Sequence, residues 1–196
     1  PFNPPVRLTP SDPHAFGGLT SPEHYFEFRY KLQKDMEKAP ALIEETGREY
    51  EKTFGRYLGL VEDYRCDDAE LILITSGTAG YTARVAVDEL RGEGVKAGNL
   101  RIKVFRPFPF EKVRQILARA RKVAVVDRNV SYGHHGIFYQ EVKSALYGAD
   151  HDVPVFGYIT GLGGRDITPG TFKEIAGLTL AKAKPEEEIT WIGVKK

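Results

Sequence analysis

From about residue 58 onward, short apolar runs that end in small-residue turns alternate with segments carrying a single apolar stripe, and this alternation limits the fold more than any other feature. The clearest unit spans residues 69–80, AELILITSGTAG, in which a run of β-formers ends at Ser76-Gly77-Thr78-Ala79-Gly80 and opens a helix. Its strand, 70–75, lacks the polar alternation of a half-exposed strand and reads as one buried on both faces of a parallel sheet. Further strands are predicted over 58–64, 100–105, 122–127, 153–159 and 189–194, with helices over 80–91, 110–121, 137–147 and 170–183. Each helix has one apolar face, such as Ala83, Ala86, Val87 and Leu90, or Val113, Ile116, Leu117 and Ala120. The order predicts an α/β domain with three α/β/α layers, a mostly parallel sheet and right-handed crossovers.

Before this domain stands a different kind of chain. Five prolines fall within the first 13 residues, so the segment beginning at Pro1 cannot be helical and reads as an extended connector, polyproline-like or laid against another surface. A start at Pro1 rather than Met predicts that the sequence is a piece of a longer polypeptide. Ser21-Pro22-Glu23 then opens a helix, with a capping hydroxyl, a residue that has no N–H to leave unpaired, and a carboxylate at the positive end of the dipole. Tyr25, Phe28, Leu32, Met36 and Ala39 recur at helical spacing. Pro40 is expected to end or kink this helix, and Ile43, Gly47, Tyr50 and Phe54 continue the rhythm in a second one. The predicted division is a linker and helical arm over 1–57 and the α/β domain over 58–196.

Composition removes several function classes. The 28 Lys and Arg nearly cancel the 27 Asp and Glu, which leaves no broad basic field for nucleic acid or an anionic membrane. The longest aliphatic runs fall far below the roughly 18–20 apolar residues of a spanning helix. One cysteine, Cys66, permits no internal disulfide and no Cys cluster, which fits a reducing, cytoplasmic setting.

Three strand-end loops hold the candidate site residues. The turn containing Ser76, Gly77, Thr78 and Gly80 could cradle a phosphate on backbone N–H groups, yet it lacks GxGxxG spacing and a P-loop lysine; a tight turn with a positive-φ glycine and a hydroxyl cap is the plainer reading. Gly161-Leu162-Gly163-Gly164-Arg165-Asp166 lets a backbone approach closely, and Arg165 with Asp166 could pair locally or reach across an interface. Asp127-Arg128-Asn129 and Ser131-Tyr132-Gly133-His134-His135 form the third loop. Neighbouring histidines seldom aim both rings at one ion, so no metal site is expected, and Tyr132 and His134 read as surface contacts. Arg128, Asn129, Tyr132, His134, Arg165 and Asp166 are the interface candidates. No catalytic set is apparent: there is no nucleophile elbow, no HExxH and no EF-hand loop.

Phe54-Gly55-Arg56-Tyr57, Asp68-Ala69-Glu70, the Ser76–Gly80 turn, Phe105-Arg106-Pro107-Phe108-Pro109, Val126-Asp127-Arg128-Asn129, Glu141 to Tyr147 and Gly161 to Asp166 occur in the order seen in α subunits of 2-oxoacid:ferredoxin oxidoreductases. Over nearly its whole length the chain resembles that family, and most closely the pyruvate type. The resemblance implies a domain similar to the C-terminal domain of transketolase, inside an enzyme that decarboxylates a 2-oxoacid oxidatively and reduces ferredoxin. It implies thiamine diphosphate, Mg2+, [4Fe-4S] clusters and CoA in the assembled enzyme, held by other domains and subunits rather than by this chain. The implied partners are the thiamine-binding and iron–sulfur subunits, and ferredoxin through the complex. The His134-His135 pair departs from the aromatic or acidic residue common in the family. A structural, assembly role follows for this domain. Oxalate or a branched-chain oxoacid as substrate, the C-terminal domain of a transketolase or oxoacid dehydrogenase, and a standalone nucleotide-binding or regulatory module are the alternatives.

Overall fold

The computed structural model describes residues 3–14, 16–149 and 152–195. Pro1 lies outside these, and the connector residues that are described make bends and a single bridge between Thr9 and Asp12, with no helix. Two compact units divide between Lys38 and Ala39.

A single helix, α1, runs from Pro22 to Phe54, about 50 Å at 1.5 Å per residue. The Ser21 carbonyl accepts the His24 and Tyr25 N–H groups at its start. Pro40 lies within the helix rather than between two helices as the sequence predicted. Proline removes one donor and crowds the preceding turn, but helical bonding on both sides carries the chain through. In the second unit, Gly47 is the buried residue of α1, and a Cβ there would overlap the Leu58 carbonyl oxygen.

The sheet has six strands: β1 (Val61–Tyr64), β2 (Leu71–Ser76), β3 (Ala97–Ile102), β4 (Lys122–Asp127), β5 (Val155–Ile159) and β6 (Thr190–Trp191). Their spatial order is β1-β3-β2-β4-β5-β6, all parallel except β1, which runs antiparallel to β3. The helices are α2 (Ala79–Gly92), α3 (Phe110–Leu117), α4 (Ile137–Leu146) and α5 (Pro169–Ala181). The expected three-layer α/β/α architecture is the one observed. Several element ends differ: β3 lies three residues earlier than predicted, because Ala97 and Gly98 are buried against β2, α3 and α5 stop early at Leu117 and Ala181, β1 and β5 start late at Val61 and Val155, and β6 keeps only Thr190–Trp191.

Strand alternation divides the core in two. Ile72, Ile74, Leu100, Val123 and Val125 face α3 and α4, whereas Leu71, Leu73, Ala124, Val126, Phe156 and Tyr158 face α2 and α5. Ile72 and Leu73 are wholly buried, each such side chain contributing about 1.5–3 kcal/mol. The connections β3–α3–β4 and β4–α4–β5 advance along the sheet over one face, and β2–α2–β3 returns over the other. The β5–α5–β6 connection also advances, but over the α2 face, so its hand is opposite to that of the other three and departs from the uniform handedness predicted.

Candidate functional site

The carboxyl ends of β2, β4, β5 and β6 lie along one edge of the sheet and bring the three sequence-predicted loops together. β2 leads into α2 on one face and β4 into α4 on the other, so the neighbouring ends of these two strands form the crevice at which ligands dock in open α/β sheets. Thr78 and Arg128 stand on either side of it, with an Arg128 Nη1 to Thr78 Oγ1 distance of 3.5 Å.

In the first loop, Gly77 supplies the positive φ of +58°, which a side chain would strain. Thr78 precedes α2 in a helical conformation and makes no side-chain cap, so the expected hydroxyl cap is absent. Gly80 is buried within α2, where a Cβ would come 2.6 Å from Arg101 Cδ. Its value is close packing rather than an unusual turn.

The Asp127 loop is chiefly an internal brace. Asp127 is 1% exposed, and its carboxylate accepts the Phe138 and Tyr139 N–H groups, each at 3.0 Å, at the first turn of α4. The Asn129 side chain donates to Asp127 Oδ1 at 3.0 Å and accepts the Ile137 N–H at 2.8 Å. Three otherwise unpaired N–H groups of α4 are thereby satisfied from outside the helix. Burial pushes the Asp127 carboxyl up, while the two N–H donors and the Asn129 amide pull it down. Asn129 is thus committed to α4. Arg128, Tyr132 and His134 remain at the surface, Tyr132 with 92% exposure. His135 stacks edge-on against Tyr139, with ring centroids 5.4 Å apart, and lies 3.7 Å from Glu188.

The third loop is a short turn over Leu162–Gly164, with Gly161, Gly163 and Gly164 all at positive φ. Arg165 donates to the Gly193 carbonyl rather than pairing with Asp166, and both charged side chains are exposed. Thr160, Leu162, Arg165, Trp191 and Val194 line a depression of about 270 Å³ on this edge.

An iron–sulfur cluster does not fit the described residues. No group of three or more His, Cys, Asp or Glu among them could hold a metal ion. Cys66 is buried, its thiol pushed up to about 12 chiefly by desolvation, the reverse of what a thiolate ligand needs. Among the described residues no helix is long and apolar enough to cross a membrane.

Comparison with known proteins places the chain in a family. Residues 69–172 match the family described as pyruvate:ferredoxin oxidoreductase core domain II. Pyruvate synthase subunit PorA of Methanothermobacter thermautotrophicus is 44% identical over 195 residues, 100% of this chain and 49% of that protein. Ketoisovalerate oxidoreductase subunit VorA of Pyrococcus abyssi is 38% identical over 189 residues, 94% of this chain and 48% of that one. The chain therefore spans about half the length of the curated relatives it matches. A 2-oxoglutarate:ferredoxin oxidoreductase from Magnetococcus marinus, solved with 2-oxoglutarate, coenzyme A and succinyl-CoA bound, shares the fold at a TM-score of 0.52. It is 20% identical, over 81% of this chain and 23% of that one. By its family match and its identity to PorA over its full length, the chain belongs to the pyruvate:ferredoxin oxidoreductase core domain II family, within the 2-oxoacid:ferredoxin oxidoreductases.

Proposed function

We propose that this chain works as part of the α-type subunit of a thiamine diphosphate-dependent 2-oxoacid:ferredoxin oxidoreductase acting on pyruvate in the cytoplasm. The observation that carries the reading is the 44% identity to a pyruvate synthase subunit across the whole chain. The assembled enzyme would convert pyruvate and CoA to an acyl-CoA and CO2, passing two electrons to ferredoxin through [4Fe-4S] clusters. Thiamine diphosphate with Mg2+ would supply the carbanion chemistry from other domains of the assembled enzyme.

The role of this chain is then positional. The arm of residues 1–57 and the α/β domain of 58–196 support the thiamine-binding and iron–sulfur subunits, with Arg128, Tyr132, His134, Arg165 and Asp166 presented along the carboxyl edge for contact. The turn at Ser76, Gly77, Thr78 and Gly80 supports the packing of α2 in this reading. The experiment is purification of the full complex with and without residues 58–196. Loss of assembly, or of pyruvate-dependent ferredoxin reduction, is the expected result; a truncated complex with full activity would falsify the role.

A second substrate reading rests on the VorA relative, 38% identical over 94% of the chain. Comparing kcat/KM for pyruvate and for ketoisovalerate on the same complex separates the two, and a preference for ketoisovalerate overturns the pyruvate assignment.

A further inference from the structure

A group of cations lies around Tyr81, the residue that follows the first of the three loops, on the β3 side of the carboxyl edge. The Arg101 guanidinium lies 4.4 Å from the Tyr81 ring centroid and that of Arg84 5.4 Å. Both arginines share a single carboxylate, Glu62, with Arg101 Nη1 donating to Glu62 Oε2 at 3.1 Å. Lys103 follows two residues after Arg101, and Arg56, whose guanidinium donates to the Tyr50 hydroxyl at 3.3 Å, adds to the positive charge felt by Lys103 and Tyr81.

Among the described residues Glu62 alone forms ion pairs with any of these four cations, and neither Lys103 nor Arg56 has an acidic partner. Arg101 Nε is buried without an acceptor. Burial, together with the neighbouring Arg101, Arg56 and Arg84, holds the Lys103 amine below its ordinary value. The Arg101 guanidinium likewise lowers the Tyr81 hydroxyl. Two arginines sharing one carboxylate, with two further cations near them, repel one another, and that repulsion is relieved when an anion arrives.

We propose that the cluster of Arg56, Arg84, Arg101 and Lys103 around Tyr81 is a binding site for a phosphoryl group carrying two or more negative charges. Planar guanidinium forks match phosphoryl oxygens in pairs, and the ammonium of Lys103 adds a point charge to the third. The cluster borders the first turn of α2, where Gly80 packs on Arg101, and follows the carboxyl end of β3. Ligands meet parallel sheets at such ends. A chain with formal net charge +1 has no broad basic surface of which this could be a fragment, which favours a small ligand over nucleic acid.

The test is titration calorimetry of the 196-residue chain with inorganic pyrophosphate, against sodium chloride and citrate at matched ionic strength. Saturable one-site binding of pyrophosphate is expected, with affinity falling about tenfold in Lys103→Met and in Arg56→Ala, a loss typical of one charge-assisted bond. Lys31→Met, an exposed lysine of α1, should leave it unchanged. Circular dichroism checks that each variant is folded, and exposed Arg56 carries the test if Lys103→Met is not. Three outcomes overturn the site: no saturable heat, equal loss in all three variants (an adventitious ion only), or citrate binding as tightly as pyrophosphate. None of them touches the subunit reading, which depends on the assembled enzyme.

Discussion

Asp127 shows at a single residue how a position that reads as a site candidate can be structural. It follows a buried strand and precedes a loop rich in His, Tyr and Asn, the setting in which α/β proteins often place chemistry. Its carboxylate is instead spent on α4, and Gly136 is glycine because a Cβ there would overlap that carboxylate. Asp127→Asn keeps the shape but turns one acceptor into a donor facing N–H groups, which should cost about 1–3 kcal/mol at pH 7. Gly136→Ala should cost about 2–4 kcal/mol by forcing the carboxylate off the helix. Urea unfolding measures both, and a Gly136→Ala change within 0.5 kcal/mol of wild type would show that the cap does not stabilise α4. The sequence placed Asp127 at a strand end; its partner helix could not be read, because the contacts span 11 and 12 residues and depend on how α4 docks. The Tyr81 cluster was less legible still. Its only linear trace is the Arg101-x-Lys103 spacing, and Arg56 and Arg84 join it through the fold.

At the scale of elements, periodicity located nearly every strand and helix, and the departures have physical causes. The order of β and α segments and the apolar stripes are local properties, so α2, α4 and β4 fell within one residue of prediction at each end. The start of β3 moved because Ala97-Gly98 carries no strand signal of its own and is drawn in by pairing with β2. The reversed hand of the α5 connection is invisible to any stripe, since Phe172, Ile175 and Ala176 would suit either face. The segment after α5 is latched to α4 at Glu188, which accepts the Tyr139 hydroxyl at 2.8 Å and Lys143 Nζ at 3.0 Å. Lys143 and Tyr139 hold the Glu188 carboxyl below its ordinary 4.5. Burial and His134 hold His135 below 6.5. Both folded values are depressed, so both groups contribute stability at neutral pH. The His135 share goes as pH falls below 6.5 and the Glu188 share as it falls through a value under 4.5. Glu188→Gln should therefore be less stable than wild type at pH 7, and the gap should close below pH 4.5. Thermal melts across pH 3–7 check this, and a gap that is constant with pH contradicts the latch.

At the scale of the whole molecule, the α/β domain has a buried core on each face of its sheet and an edge of exposed loops, and the chain spans about half the length of its relatives. The two properties bear on each other. A surface that serves only solvent gains nothing from Tyr132 at 92% exposure or from three positive-φ glycines around Arg165. In an assembly, by contrast, tyrosine and arginine at a contact carry a large share of the binding energy. Tyr132→Ser in the 196-residue chain alone should change unfolding free energy by less than about 0.5 kcal/mol, as surface substitutions do. In the assembled oxidoreductase the same change should weaken subunit association by about tenfold, the cost of losing a tyrosine anchor from a contact. The discriminating measurement pairs a urea melt of the chain with a dissociation constant for the complex. Unchanged association would remove Tyr132 from the interface, and a destabilised chain would make it a folding residue instead. His134→Ala beside it distinguishes a single anchor from a broader patch: an equal loss means the whole loop is seated against the partner, and no loss confines the contact to Tyr132.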